Sequence, residues 1–161
     1  GLMVTHDPEE AMSICDKVAV MNDGKIHQID TPINLLNNPK TIFVSSFILG
    51  NNIINLKKNG NSYISCLGEI NCSEYLKNTV IKSMSISPKF ISIKRSESGD
   101  AIVISKEFLG EFLIYKVSIN GNILRVRTDI NNLLNNGDKC SLSINKNSYY
   151  FLYPGAYKEY I

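Results

Sequence analysis

The pattern of apolar and polar residues changes near residue 50 of the chain. Before that point, apolar residues recur at helical spacing between turn signals, and the predicted order is strand, helix, hairpin, helix, helix. After it, short runs that alternate apolar and polar residues are separated by polar turns, which predicts strands. We therefore expect two regions, residues 1–50 and 51–161, with a boundary at Gly50-Asn51-Asn52.

Local start signals define the helices of the first region. Asp7 suits an N-cap, Pro8 suits the first helical position, and Glu10 completes a capping box. Thr31-Pro32 repeats the cap-and-proline signal for a short helix that stops at Asn38-Pro39. A third helix over residues 41–49, packed into the core, is predicted from apolar residues at helical spacing: Phe43, Val44, Phe47 and Ile48.

Two tight hairpins are predicted from glycines that follow Asn or Asp. Asn22-Asp23-Gly24 returns an alternating strand over residues 18–21 into a second strand over residues 25–29. Asn120-Gly121 gives the clearest hairpin of the second region. Arg125 and Arg127 fall on the outer face of that hairpin, where a solvent-exposed face is the preferred interpretation and anion binding the alternative.

Eight short runs predict strands in the second region, and together they suggest a small barrel or sandwich. The runs are Ile53 to Leu56, Ser62 to Cys66, Met84 to Ile86, Phe90 to Ile93, Ala101 to Ser105, Phe112 to Ile119, Ile123 to Val126 and Lys139 to Ile144. A cluster of aromatic residues over 149–153 is best explained as a terminal apolar strand or a dimer contact. A base-stacking platform for nucleic acid is the alternative.

Composition limits the class of protein. With 161 residues there is room for one domain, or for a small domain and a piece of another, and 43% hydrophobic with 20% charged residues predicts a folded chain. No apolar run approaches the roughly 20 residues that span a bilayer. The net charge of +2 is too small to indicate nucleic-acid binding, although it divides into −3 over residues 1–50 and +5 over the remainder.

The cysteines and histidines do not predict a metal site. Cys15, Cys66, Cys72 and Cys140 form no C-x-x-C pair, and the chain has two histidines. We expect four reduced structural thiols and no bound metal.

The start of the chain suggests a portion of a longer protein. Gly1 leads directly into Leu2-Met3-Val4 without an initiator methionine. A strand over residues 2–5 would need sheet partners that this sequence does not supply. His6 follows that strand and precedes the first helix. Since open α/β sheets bind ligands at the carboxyl ends of their strands, His6 could donate to a phosphate oxygen or orient a water, with a structural histidine as the alternative.

The first region resembles a known family. Val4 to Met12, Asp16 to Ile26 and Thr31-Pro32 resemble, in order, the switch-histidine end of ABC transporter ATPases, and among these the importer ATPases of the maltose, polyamine and ferric-iron types. Asn38-Pro39 and Phe43 to Ile48 are similar to that family's connection out of the nucleotide-binding domain. The resemblance identifies His6 as the switch histidine. His27 matches nothing in the family and is expected to be a surface strand residue.

The resemblance implies that His6 contacts the γ-phosphate of ATP and helps position the attacking water, in a site shared by two ATPase subunits. The sequence holds no G-x-x-x-x-G-K-[ST] loop, magnesium-binding acidic strand or ABC signature, and Gly24-Lys25 belongs to a hairpin turn. We therefore expect ATP and Mg²⁺ to be cofactors of the full-length subunit. The chain alone is expected to bind no cofactor and to be inactive.

Residues 51–161 resemble, more loosely, the TOBE region, an OB-like barrel that follows the nucleotide-binding domain in those ATPases. Glu107-Phe108-Leu109-Gly110 looks like its E-x-L-G turn, and Ile86-Ser87-Pro88-Lys89 stands where the family usually has an Ile-Arg-Pro-Glu-like segment. Ser87 and Lys89 depart from that pattern, so contacts made through the family's two charges are in doubt. The fold class expected is mixed, with an α/β remnant of a P-loop nucleotide-binding domain followed by an all-β OB-like barrel.

The function expected is that of the C-terminal portion of the ATP-hydrolysing subunit of a binding-protein-dependent ABC importer, with the barrel serving regulation and dimerisation. The expected partners are a second ATPase subunit and the membrane permease, without nucleic acid. The subunit is expected in the cytoplasm, attached to the inner face of the plasma membrane through the permease. Ferric iron is a slight favourite as cargo, with polyamine, sugar and oxyanion open. The alternative is a stand-alone OB-like module for a small oxyanion or nucleic acid.

Overall fold

The computed structural model describes residues 1–71, 80–146 and 148–155. Within these ranges, its α-helices all lie before residue 50, and strands predominate after that point. The helices of the described residues are α1 (Pro8–Ile14), α2 (Pro32–Asn37) and α3 (Ile42–Leu49), and Pro88–Phe90 forms a 3₁₀ turn. The strands are β1 (Val18–Asn22), β2 (Lys25–Asp30), β3 (Asn52–Asn55), β4 (Lys57–Asn59), β5 (Ser62–Ser65), β6 (Gly68–Asn71), β7 (Ser83–Ile86), β8 (Ile91–Arg95), β9 (Ala101–Phe108), β10 (Phe112–Ile119), β11 (Asn122–Asp129), β12 (Lys139–Ile144) and β13 (Tyr150–Tyr153).

The strands form antiparallel sheets, and each of the eight predicted runs overlaps an observed strand. The orders are β1-β2, β11-β10-β9-β12-β8, β13-β7-β3 and β4-β5-β6. The β-rich character predicted for residues 51–161 is therefore confirmed where that region is described, while the α/β remnant and the OB-like barrel of the predicted mixed class stay predictions. Within the described ranges the sheets are open and do not join into one closed barrel. The helices of the described residues lack the length and the apolar composition that a membrane span requires.

The caps follow the sequence prediction except at one point. Asp7 Oδ1 accepts the N–H groups of Glu9 and Glu10 at 2.9 and 3.3 Å, and α1 begins at Pro8 as predicted. The Asp7 N–H donates to Thr5 Oγ1 at 3.1 Å. The Glu10 half of the predicted capping box is therefore wrong, because the nearer hydroxyl takes the donor that the Glu10 carboxylate would have accepted from.

Both predicted hairpins are confirmed, with positive φ at the two turn residues in each. The φ angles are 48° and 72° at Asp23 and Gly24, and 47° and 77° at Asn120 and Gly121. Two successive left-handed residues match the right-handed twist of the strands that they join, which fixes the register of each hairpin.

The predicted strand over residues 2–5 is wrong. This segment is outside any strand, and Leu2 and Val4 are 95% and 91% exposed. An isolated strand leaves its backbone groups unpaired, and no described strand lies beside this segment to pair with it.

Two hydrophobic cores support the described residues. The larger is built from β3 and β5–β12, around the fully buried side chains of Tyr115, Met84 and Ile86. The smaller joins Val20, Leu35 and Val44, which are at most 3% exposed, from β1, α2 and α3. The core prediction for α3 is thus confirmed at Val44 but wrong at Phe47, which is 42% exposed and stacks on Phe43 with ring centroids 5.3 Å apart.

A buried polar cluster joins α3 to β7. Ser45 Oγ lies 2.5 Å from Ser85 Oγ, and the Asn51 amide donates to these two oxygens at 3.3 and 3.1 Å. Nearby, the Tyr153 hydroxyl donates to the carbonyl of Pro39 at 2.8 Å, across 114 residues of sequence. These bonds tie the region before residue 50 to the sheet after it, while the boundary itself stays a prediction.

Asn52 connects two sheets through its side chain. Its amide donates to the carbonyl of Arg125 at 2.8 Å, and its Oδ1 accepts the Arg125 N–H at 2.7 Å. The carboxamide thus bonds to the edge of β11 in the way that a neighbouring strand would. Asn51 and Asn52 are both buried, so this pair of polar residues is part of the packing between the two regions.

Candidate functional site

His6 lies in an exposed bend between Thr5 and Asp7, immediately before α1. In the described part of the chain its ring makes no hydrogen bond or ion pair. Both ring nitrogens are therefore available to a ligand or to solvent. An imidazole in this state can donate to a phosphate oxygen or hold a water.

The position of His6 is set by the anchoring of α1. Asp7 caps the helix, and Met12, one and a half turns later, packs on the smaller core. The first turn carries Glu9 and Glu10 without a basic residue. His6 therefore lies directly before an anchored helix, although residues 2–4 before it are exposed.

His27 is not the surface residue that the sequence predicted. Its Nδ1 lies 3.2 Å from Thr41 Oγ1, and its ring centroid lies 4.9 Å from that of Phe43. The ring is half-buried between β2 and the first turn of α3. His27 consequently braces α3, and its role is structural.

Gln28 was not singled out by the sequence, but it holds the connection between α2 and α3. Its side chain is buried, donates to the carbonyl of Asn38 at 3.1 Å, and accepts the Lys40 N–H at 2.9 Å. Beside it, hydrogen bonds from Asn34 and from the Thr31 N–H lower the pKa of Asp30. The sequence signal that could have indicated a buried role for Gln28 is its place at an inward-facing position of an alternating strand.

The two segments that resemble TOBE motifs lie at the β9–β10 turn and beside the groove next to α2 and α3. Glu107 and Phe108 end β9, and Leu109 and Gly110 begin the turn into β10, with φ of 79° at Gly110 and with Phe108 64% exposed. Ser87 and Lys89, the two departures from the family pattern, line one groove together with residues of α2 and α3. The departures therefore lie where the two regions of the chain meet.

Of the aromatic residues over 149–153, Tyr150, Phe151 and Tyr153 are partly or fully buried, and Tyr149 is 59% exposed. Tyr150–Tyr153 is β13, paired with β7. The Phe90 and Tyr149 rings meet edge to face with centroids 4.8 Å apart. The terminal-strand interpretation is thus confirmed, and the dimer contact stays a prediction.

Three of the four cysteines are described, and all three are free thiols as predicted: Cys15, Cys66 and Cys140. Cys72 lies outside the described residues. Burial raises the pKa of Cys66 and of Cys140, so both stay protonated at neutral pH. Among the residues described, no three His, Cys, Asp or Glu side chains are grouped as metal ligands.

Arg125 and Arg127 are both exposed on β11, as the preferred interpretation predicted. Their surroundings differ, because the Arg127 guanidinium carbon lies 3.8 Å from the centroid of the Phe112 ring.

Comparison with known proteins extends the resemblance. The spermidine/putrescine import ATP-binding protein PotA of Bacillus anthracis is 53% identical over 64 residues, which are 40% of this chain and 19% of that protein. The proteins of the same name from Trichormus variabilis and from Nostoc sp. are each 33% identical over 150 residues, 79% of this chain and 39% of those proteins. No protein family model matches the chain.

The chain thus spans well under half the length of the relatives that it matches. Since 79% of this chain is more than its first fifty residues, the similarity extends beyond the segment around His6. The resemblance found in the sequence is therefore confirmed, and the chain is homologous to a part of the ATP-binding subunits of ABC importers.

Proposed function

We propose that the chain is the C-terminal portion of the ATP-hydrolysing subunit of a binding-protein-dependent ABC importer, with His6 as its switch histidine. The observation that carries this proposal is the exposed His6 ring, without a hydrogen-bond partner in the described chain, in front of an anchored and capped helix. Homology to import ATP-binding proteins supports it.

Of the groups that contact ATP in such a subunit, this chain would supply one, the imidazole of His6. His6 can donate to the γ-phosphate and orient a water, which are the tasks that phosphoryl transfer requires of a positioned donor. The rest of the phosphate site, and the ligands of Mg²⁺, would come from other parts of the subunit. The acidic groups described here do not cluster as Mg²⁺ ligands.

The cargo class is inferred from the relatives. Their names specify spermidine and putrescine, which supports polyamine import by the whole subunit more than the ferric iron that the sequence slightly favoured. The subunit would work as a pair beneath a membrane permease, at the cytoplasmic face. Residues 51–161 would form an OB-like regulatory domain that holds the pair together.

The test of His6 uses the full-length subunit. His6→Ala should lower ATP turnover by about 100-fold or more, in line with the loss of a positioned catalytic group, and should leave nucleotide affinity within about twofold. His27→Ala is the matched control, because it removes the other histidine of this chain from a structural position. It should retain turnover. Near-normal turnover in His6→Ala would refute the role of His6.

The pairing role is tested separately by sedimentation of the 161-residue chain. Self-association that strengthens with concentration is expected. A strict monomer at high concentration would remove the proposed dimerisation role and leave the His6 proposal intact.

A further inference from the structure

The two edge strands of the five-stranded sheet, β8 and β11, face each other without pairing. Some of their Cα atoms come within 8 Å of each other, and an open groove of about 680 Å³ lies along them. Strands that pair lie about 4.7–4.9 Å apart, so a third strand inserted between these two would need roughly twice that spacing. The groove therefore suits a small ligand and not an inserted peptide strand.

Among the cationic side chains that line this groove, Arg127 is the one whose orientation best suits it to bind a ligand. Its guanidinium stacks over the Phe112 ring at 3.8 Å, which fixes the plane of the group and leaves its N–H edge free. Over the residues that the structure describes, Arg127 makes no ion pair. Arg95, by contrast, is paired with Asp138.

The main chain adds a second donor at the same place. The N–H and C=O groups of Arg125 face away from β10, because both are bonded to the Asn52 side chain. Backbone direction in a strand repeats every two residues, so the Arg127 N–H also faces away from β10, toward the groove. The guanidinium and this N–H therefore belong to one residue of the groove lining.

The charge of the lining selects the ligand. Lys89, Lys94 and Arg127 supply three positive charges, and Glu111 and Asp129 supply two negative ones, which leaves a net charge of +1. This net positive charge favours an anionic ligand, and the two carboxylates disfavour each further negative charge on it.

The groove is also polar and locally braced. Asn132 donates to the carbonyl of Ile93 at 3.2 Å, and Asn145 donates to that of Lys89 at 3.3 Å. These bonds hold the two amides against the β8 side of the groove, so that side is organised before a ligand arrives.

We propose that the groove between β8 and β11 binds the carboxylate group of a small molecule, held by the guanidinium edge and the N–H of Arg127. The planar fork of an arginine matches two carboxylate oxygens. This site is independent of His6 and of ATP.

The experiment is a titration of the 161-residue chain with sodium acetate, followed by two-dimensional ¹H–¹⁵N NMR at constant ionic strength maintained with sodium chloride. Saturable shifts are expected at the Arg127 backbone and Nε–H signals. Arg127→Gln should weaken acetate binding about tenfold or more, the loss expected for a charged hydrogen-bonded contact. Arg127→Lys should also weaken it, because it keeps the charge but not the fork.

Arg125→Gln is the matched control, since Arg125 is exposed on the same strand but does not line the groove. It should bind acetate as the unmodified chain does. The proposal is overturned if chloride alone reproduces the shifts, if the Arg127 variants bind acetate normally, or if Arg125→Gln loses binding equally. Tighter binding of inorganic phosphate than of acetate would overturn the assignment to a carboxylate.

Discussion

Tyr153 offers a measurable test of how the two regions of the chain are joined. Its side chain is 7% exposed, and its hydroxyl donates to the carbonyl of the buried Pro39 at 2.8 Å. Tyr153→Phe keeps the ring and removes this donor, so that a buried carbonyl loses its partner. Such a loss costs about 1–3 kcal/mol, which should lower the urea midpoint of the 161-residue chain without changing the slope of the transition.

The same residue predicts a dependence on pH. Burial raises the pKa of Tyr153 to about 12, whereas an unperturbed tyrosine titrates near pH 10. Because the folded state disfavours the phenolate, this contribution to stability is complete below about pH 10 and is lost as the pH rises toward 12. After allowance for screening by solvent, about 1–2 kcal/mol should disappear over that range.

The stability gap between the unmodified chain and Tyr153→Phe should therefore narrow above pH 10. Tyr149→Phe is the control, since Tyr149 is 59% exposed and its loss should cost less than about 0.5 kcal/mol. A gap below about 0.5 kcal/mol for Tyr153→Phe at pH 7, or a gap that does not change with pH, would refute the reasoning.

Three further predictions concern single contacts. Asn52→Ala should lower the free energy of unfolding by about 1–3 kcal/mol in urea titrations, because it leaves two main-chain groups of β11 without their partners. Gly99→Ala should cost about 3 kcal/mol or more by the same assay, because its Cβ would lie 2.1 Å from the Cys140 carbonyl oxygen; a cost below about 1 kcal/mol would contradict this packing. In peptide mapping after brief alkylation at pH 8, the fully buried Cys140 should remain unmodified until urea unfolds the chain, and Cys15 should react before it.

Features determined by a few neighbouring residues were predictable from the sequence. The turns at Asp23-Gly24 and Asn120-Gly121, and the caps at Asp7 and Thr31, need only the backbone preferences of two to four residues. The His6 segment was also recognisable, because the residues around it resemble a family motif in an unbroken order.

Features that depend on distant partners were not predictable. Ser45 and Ser85 are 40 residues apart, and nothing in either local sequence indicates that they meet in the interior. His27 was assigned to the surface because its contact with Phe43 requires α3 to fold back over β2. The strand expected at residues 2–5 failed for the related reason that a strand exists only beside another strand.

The contact between Asn52 and β11 has a consequence for aggregation. An exposed sheet edge is a template on which the strand of another molecule can pair. The Asn52 carboxamide occupies the N–H and C=O groups of Arg125, in the middle of that edge, and further along β11 the approach of β8 leaves too little room for a foreign strand. The same residue that stabilises the fold thus keeps β11 from recruiting a second chain, so Asn52→Ala should raise the tendency of the chain to associate edge to edge.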